Sequence, residues 1–452
     1  MSNQLRLRES QGKGVDHRKY ALLIAVAAAL GGLLFGYDTS VISGAILFVR
    51  LQFHLNSLET GIAVSIVLAG AAVGASVAGL LADRFGRKPV LFADAILFGI
   101  FAFITGKAGS IEVFLLARFM IGLAVGLTSM ITPLYIAEVA PPKIRGALVT
   151  INQLAIAIGI LVAYGADYYF AASANWSAMF TSAIAPSIVL LVALFFLPES
   201  PRWLASRNRE AEAMAILSRL ESADEARQHL KELSEFTENN KLKFSELLSG
   251  RFRRPMLMGI GLAIFQQITG VNTVIYYAPT LLQMAGFNSA RTALLGTALI
   301  GAVNTLATIL SLFLLDRVGR RVLLLIGITG MGLSLVHLGY LFGSAGGSRS
   351  AILLDLLIYL AAFSLGLGPV FWLLISEVYP VQVRGRAMSV ASVTIWISDL
   401  LVTVTFLSLV ELMGVRNLFW LYAAACAAAL IFTIKFVPET KDRSLEEIEA
   451  SW

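Results

Sequence analysis

Apolar runs of about 18 residues or more alternate with short polar stretches along almost the whole chain. Twelve can be counted, beginning near residues 21, 59, 89, 110, 146, 178, 255, 291, 321, 352, 386 and 417. A helix rising 1.5 Å per residue needs about 20 residues to cross roughly 30 Å of hydrocarbon, so each run predicts one membrane-spanning helix. Almost none has the polar stripe that a helix of a large soluble protein keeps toward water, and that class is excluded. Six runs precede and six follow the one long polar insertion, residues 205–254. There Met214, Ile216, Leu217 and Leu220 recur at helical spacing among charged residues, which predicts two or three short amphipathic helices. In the tail, Ser444 and Glu447 form a capping-box pattern that would open another.

The polar stretches repeat. Asp83-Arg84-Phe85-Gly86-Arg87-Lys88 answers Asp316-Arg317-Val318-Gly319-Arg320-Arg321, and Glu138 with Arg145-Gly146 answers Glu377 with Arg384-Gly385. Pro198-Glu199-Ser200 answers Pro438-Glu439-Thr440 after the last apolar run of each half. Three pairs in the same order, offset by roughly 235 residues, describe a duplicated membrane domain with a site between its halves, the plan of a transporter.

The composition agrees, with 57% hydrophobic and 14% charged residues. The net charge of +6 is no nucleic-acid footprint, because the cations gather on alternate loops: Arg84, Arg87, Lys88, Lys143, Arg145, Arg317, Arg320, Arg321, Arg384 and Arg386 share one side. By the positive-inside rule that side is cytoplasmic and holds both termini. No cleavable signal is evident ahead of the first run. The single cysteine, Cys426, permits neither an internal disulfide nor a cysteine metal site. No phosphate-binding glycine loop, His-Glu-x-x-His or Gly-x-Ser-x-Gly element occurs, so neither an ATP-driven pump nor an enzyme is expected, and no cofactor or metal. His337, the one histidine inside a span, reads as a hydrogen-bonding residue of helix packing.

A charge at the bilayer centre costs about 2.5–3.5 kcal/mol on insertion scales, so ionisable groups inside spans are functional candidates. Asp38 lies in the middle of the first span and Arg118 in the fourth. Such a pair offsets its own burial and is broken by protonating the acid, so it can serve as a proton switch or as a static strut. Gln153, Gln266, Gln267, Asn272 and Asn304 add side chains that offer donor and acceptor together, which suits a neutral polyol. On an unbroken helix Asn272 points roughly 120° away from Gln266, so both face one site only if Gly270 lets the helix unwind; Tyr276 shares the face of Asn272. Gly366-Leu367-Gly368-Pro369 predicts a second break just before Trp372. Trp372 and Trp396 offer flat faces for the C–H side of a pyranose.

With these motifs the chain resembles the sugar porter family of the major facilitator superfamily, which holds bacterial proton-linked xylose, glucose, galactose and arabinose symporters and animal facilitative glucose transporters. The resemblance spans residues 18–449 and rests on Gly86-Arg87-Lys88, Gly319-Arg320-Arg321, Pro198-Glu199-Ser200-Pro201-Arg202-Trp203, the Gln266-Gln267…Gly270…Asn272…Tyr276-Tyr277 run and Pro438-Glu439-Thr440-Lys441. It implies an all-α membrane protein of twelve helices in the major facilitator fold, two pseudo-symmetric six-helix bundles joined by a cytoplasmic helical linker. It implies sugar contacts from Gln153, Gln266, Gln267, Asn272, Asn304, Trp372 and Trp396, and proton coupling by Asp38 and Arg118, since the facilitators usually carry Asn at the Asp38 position. Asp83, Arg84, Arg87, Glu138, Arg145, Arg317, Arg320, Arg321, Glu377 and Arg384 are similar to the family's gating salt-bridge network. Ile160 and Ile395 stand where amides are common, and Asp399, three residues beyond Trp396, stands where Asn is common. Asp399 is therefore a candidate sugar ligand or second titratable group, with a structural, protonated Asp as the alternative.

The expected organisation is a cytoplasmic segment 1–20, a six-helix bundle 21–204, the linker 205–254, a second bundle 255–437 and a cytoplasmic segment 438–452. The expected function is proton-coupled symport of a monosaccharide, glucose first, by alternating access of a monomer in a bacterial inner membrane. The alternatives are a facilitative uniporter and a non-transporting sugar sensor, the latter usually marked by long cytoplasmic tails.

Overall fold

A computed structural model describes residues 17–141, 144–238, 250–344, 348–379 and 384–441. The segment 1–16, residues 239–249 of the linker, the Ser444–Glu447 tail pattern and the side chains of Asp316 and Arg384 lie outside this description.

The described chain is helical throughout. The first half contains α1 (His17–Gln52), α2 (Ser57–Phe85), α3 (Arg87–Gly106), α4 (Ile111–Val139), α5 (Arg145–Ala171) and a sixth pass broken into α6 (Trp176–Thr181) and α7 (Ile184–Phe196). Three short helices follow, α8 (Pro201–Ser206), α9 (Glu210–Leu220) and α10 (Ala223–Glu238). The second half contains α11 (Arg253–Ile268), α12 (Val271–Met284), α13 (Ala290–Val318), α14 (Arg320–Gly343), α15 (Arg349–Leu365), α16 (Leu367–Val378) and α17 (Arg384–Phe436). Eleven helical stretches among the described residues are long and apolar enough to cross a membrane. The last, α17, is 53 residues long and breaks at Gly414, where φ is 80° and ψ 155°. It supplies two passes: its middle reaches Ser57 through Glu411, and its end returns to Arg321, whose guanidinium donates to the Ile434 carbonyl at 2.6 Å. Twelve crossings result, with large apolar side chains such as Leu80, Phe196, Leu306 and Leu333 exposed on the outer surface, as lipid requires.

Starts and stops follow from local chemistry. Asn56 caps α2 by accepting from the Glu59 amide while the Glu59 carboxylate accepts from the Asn56 amide; Ser110 and Ser289 cap α4 and α13. Within the first half α2 and α4 pack backbone to backbone, because Gly70, Gly74, Gly122 and Gly126 remove the Cβ atoms that would overlap the facing main chain.

The end of the molecule carrying α8–α10 is here the linker side and the opposite end the far side. On the linker side α9 lies against the start of α1: the His17 ring nitrogen is 3.0 Å from the Arg219 carbonyl, and Arg219 sits over the Tyr20 ring. The two halves meet toward the far side. Gly61 of α2 abuts the Val404 carbonyl of α17, Ser57 bonds Glu411, Tyr164 of α5 packs on Gly301 of α13, and its hydroxyl donates to the Ile275 carbonyl of α12 at 2.9 Å.

Candidate functional site

Gly270 separates α11 from α12 and takes a left-handed conformation, φ 87° and ψ 17°, a region in which a side chain is strained. Its own Cβ position is also filled by the Tyr422 ring. The break does what the residue spacing requires: Gln266, Gln267 and Asn272 converge. Asn272 Nδ2 donates to Gln267 Oε1 at 2.8 Å and to Asp399 Oδ2 at 2.6 Å, and Gln267 Nε2 approaches Gln266 Oε1 at 3.4 Å. Gln266 Nε2 donates in turn to the Leu367 carbonyl at 3.1 Å, a main-chain acceptor at the break between α15 and α16. That break falls at Gly366, where φ is −114° and ψ −94°.

Asp399 is the terminal acceptor of the cluster. Besides Asn272 it receives the Tyr276 hydroxyl at 3.0 Å and the Thr403 hydroxyl at 3.0 Å. A carboxylate can only accept, so its presence forces Asn272 to turn its NH2 inward and fixes the direction of the whole amide run. An amide at this position would impose no such polarity.

In the other half, Arg118 of α4 and Asp38 of α1 form a fully buried ion pair and hydrogen bond. Arg118 also lies 5.4 Å above the Phe180 ring. Asp38 Oδ2 and Arg118 Nε and Nη2 have no hydrogen-bond partners, so the pair is under-satisfied and protonation of Asp38 would remove its main contact. Tyr276, bonded to Asp399, lies on α12, which packs against α1, the helix of Asp38. The amide cluster and the ion pair are thus neighbours across the inter-half boundary.

Trp396, one turn before Asp399, is buried with its ring 5.4 Å from Phe35 of α1, so it too contacts the opposite half. Asn304 of α13 accepts from the Ser364 hydroxyl of α15 at 2.6 Å, and Trp372 and Gln153 are half-buried on α16 and α5. Ile160 and Ile395 are both buried. His337 pairs with Asp355 at 2.6 Å, a helix-packing contact.

On the linker side each half builds the same small network. Arg87 Nη2 donates to Glu138 Oε1 at 2.9 Å and Nη1 to the Ala82 carbonyl at 3.1 Å; Arg320 Nη2 donates to Glu377 Oε1 at 3.1 Å and Nη1 to the Leu315 carbonyl at 3.1 Å. Asp83 lies 3.3 Å from Arg87. Ser200 donates to Glu138 and Thr440 to Glu377, both at 2.6 Å. Of the other expected members, Arg84 stacks on Phe85, Arg145 starts α5 half-buried near Glu221 and Arg202, Arg321 reaches Ile434, and Arg317 lends its carbonyl to Lys441. Each described ion pair named here ties helices of one half.

Sequence reasoning missed Glu199 and Glu439 as working members. Glu199 accepts from the amides of Arg87, Lys88 and Ser200, and Glu439 from those of Arg320, Arg321, Thr440 and Lys441. Each carboxylate therefore caps the positive end of a helix, α3 or α14. Gly86 (φ 100°) and Gly319 (φ 103°) make room, since a Cβ there would strike the carboxylate. The signal was the third repeated pair. Also missed were two buried acids, Asp94 on α3, bonded by Thr128, and Asp167 on α5.

Two discontinuous helical halves, a shared polar centre and an adjoining buried ion pair define a multi-pass membrane transporter of the major facilitator fold, not an enzyme. The chain belongs to the family described as "Sugar (and other) transporter", which matches residues 24–452. It is 39% identical to the glucose transporter GlcP of Staphylococcus epidermidis, over 94% of this chain and 96% of that one. It is 38% identical to the galactose-proton symporter of Escherichia coli, over 98% and 96%. Its fold matches the structure of the E. coli proton:xylose symporter XylE bound to 6-bromo-6-deoxy-D-glucose, with a TM-score of 0.84, 35% identity, and coverage of 96% of this chain and 100% of that one.

Proposed function

We propose that this protein is a proton-coupled monosaccharide symporter, with glucose the first hexose to test, working as a monomer by alternating access in a bacterial inner membrane with its linker side and both termini in the cytoplasm. The observation that carries the reading is that α12, which brings Asn272 and Tyr276 to Asp399, packs against α1, which carries Asp38 of the ion pair. It puts a polyol-binding surface and a proton-breakable ion pair on adjoining helices. Gln266, Gln267, Asn272, Tyr276, Asn304 and Asp399, with Gln153 from the first half, would bond the sugar hydroxyls, and Trp372 and Trp396 would cover its apolar face. Protonating Asp38 frees Arg118, sugar binds from outside, and the halves rock about the centre. The linker-side networks of Arg87–Glu138 and Arg320–Glu377 keep each half rigid during that motion and release or admit its partner as the gate changes. The relatives named above carry glucose, galactose or xylose, and the two isoleucines at amide positions leave fewer partners, which favours a site selective by shape over one selective by hydroxyl count.

A proton moving down 100 mV supplies about 2.3 kcal/mol, enough for roughly 40-fold accumulation. The test is labelled glucose uptake into proteoliposomes with and without an inward proton gradient, xylose and galactose competing, for wild type and Asp38→Asn. Gradient-dependent accumulation that the substitution abolishes supports symport. Equilibration indifferent to the gradient makes the protein a uniporter, and sugar binding without uptake makes it a sensor.

A further inference from the structure

Asp167 has no part in the transport cycle just described. It is fully buried on α5, near the far side. Its Oδ2 accepts from the Gly44 amide of α1 at 3.0 Å, and its Oδ1 has no hydrogen-bond partner. Gly44, like Gly36 and Gly159, lets α1 and α5 touch, and a Cβ at residue 44 would strike the carboxylate. The titratable groups facing it are Tyr37 of α1 and Tyr164 of its own helix. Asp38, next to Tyr37, is committed to Arg118, and Arg291 of α13 stacks on half-buried Tyr168, the residue after Asp167. A buried carboxylate with one main-chain donor and no cation is costly in its charged form.

The position makes that cost conformational. Tyr164, three residues earlier and on the adjoining face, ties α5 to α12 and α13 across the halves, together with Thr305 of α13 on the Ala157 carbonyl. Opening the far side must part Tyr164 from Ile275 and Gly301, about one turn from Asp167, which would give water a path toward the carboxylate. The charged carboxylate is tolerated in the open state and penalised in the closed one.

We propose that Asp167 is a second proton-binding site, separate from the Asp38–Arg118 pair, whose protonation from the far side permits the far-side gate to close. It exchanges its proton with one side only and so adds no coupled proton; it makes closure sensitive to the pH outside. Identifying the far side with the outside rests on the orientation proposed above.

Two measurements test this. In purified protein, the infrared carbonyl stretch of a protonated carboxyl should appear at neutral pH in the difference between wild type and Asp167→Asn; its absence at every pH would overturn the proposal without reference to transport. Far-side closure is then read as the distance between spin labels at Ser173→Cys and Ser344→Cys, with Cys426→Ala. Raising pH should shift the wild type toward open, by up to about tenfold in the closed-to-open ratio per pH unit above the titration point. Asp167→Asn should stay closed throughout, and Asp38→Asn should keep the wild-type shift. A pH response that survives Asp167→Asn, vanishes in Asp38→Asn, or is reproduced by Na+ at fixed pH would assign it elsewhere and defeat the proposal.

Discussion

Tyr276 donates its hydroxyl to Asp399 across 3.0 Å, joining α12 to α17 beside the break at Gly270. With Asn272 and Thr403, three donors converge on one carboxylate. Replacing Asp399 by Asn puts an NH2 where one of those donors now finds an oxygen. At about 1–3 kcal/mol for a buried group left unsatisfied, sugar affinity should fall roughly 5- to 150-fold. The rank order of competing sugars should also change, because Asn272 is freed to present either end of its amide. Calorimetric titration with glucose, galactose and xylose reads both; unchanged affinity and order would exclude Asp399 from the binding surface.

Arg118 and Asp38 depend on each other. Arg118→Met leaves a buried carboxylate with no counter-charge, and breaking a buried pair from one side costs about 3–5 kcal/mol. Asp38 would keep its proton throughout the cycle, so accumulation should be lost although the acid remains. The double variant Asp38→Asn/Arg118→Met removes both charges and should regain most of the lost thermal stability in detergent while staying uncoupled. If the double variant is as unstable as the single one, the penalty comes from lost packing of the guanidinium on Phe180 and not from the orphaned charge.

Glu199 and Glu439 should be worth similar amounts because they do the same work in each half. Each accepts several main-chain amides at a helix start. Glu→Gln at either position keeps an acceptor but removes the charge facing the helix dipole, with an expected loss of about 1–2 kcal/mol. The sites lie in separate halves, so the two effects should add in thermal inactivation curves. Gly86→Ala should be worse than Glu199→Gln, since it adds a disfavoured φ of 100° to a clash with the carboxylate.

The parts of this architecture that depend on chain-local physics could be read from residues alone. Spans announce themselves by length, and Gly270 and Gly366 announce breaks because only a glycine-rich stretch interrupts an apolar helix without loss. Asp399 stood out through the family resemblance, because it stands where Asn is common. What could not be read depends on which helices become neighbours. Glu199 becomes a cap only because the chain returns from α7 to the start of α3, and Asp167 is a penalty only because Gly44 brings α1 against α5. The expected salt-bridge network was read as a set of charged side chains, whereas Arg84 and Arg317 contribute main-chain carbonyls to Arg207 and Lys441. Sequence pattern shows a charge but not which of its atoms will be used.

The far-side contact of the halves can be tested at its tightest point. Gly61 of α2 faces the Val404 carbonyl of α17, and a Cβ at residue 61 would overlap that main-chain oxygen. A flexible side chain could move aside, but a carbonyl within a long helix cannot without shifting the helix. Gly61→Ala should therefore leave the interior of each half intact while holding α2 and α17 apart. The far-side-open state should gain population, sugar binding from that side should persist, and exchange across the membrane should slow because the closed state is harder to reach. Spin-label distances across the far side, with sugar binding and exchange on the same preparation, separate these effects. Normal exchange with unshifted distances would show that closure does not need the α2–α17 contact, and that the α5 contacts with α12 and α13, Tyr164 on Ile275 and Gly301 among them, carry the gate.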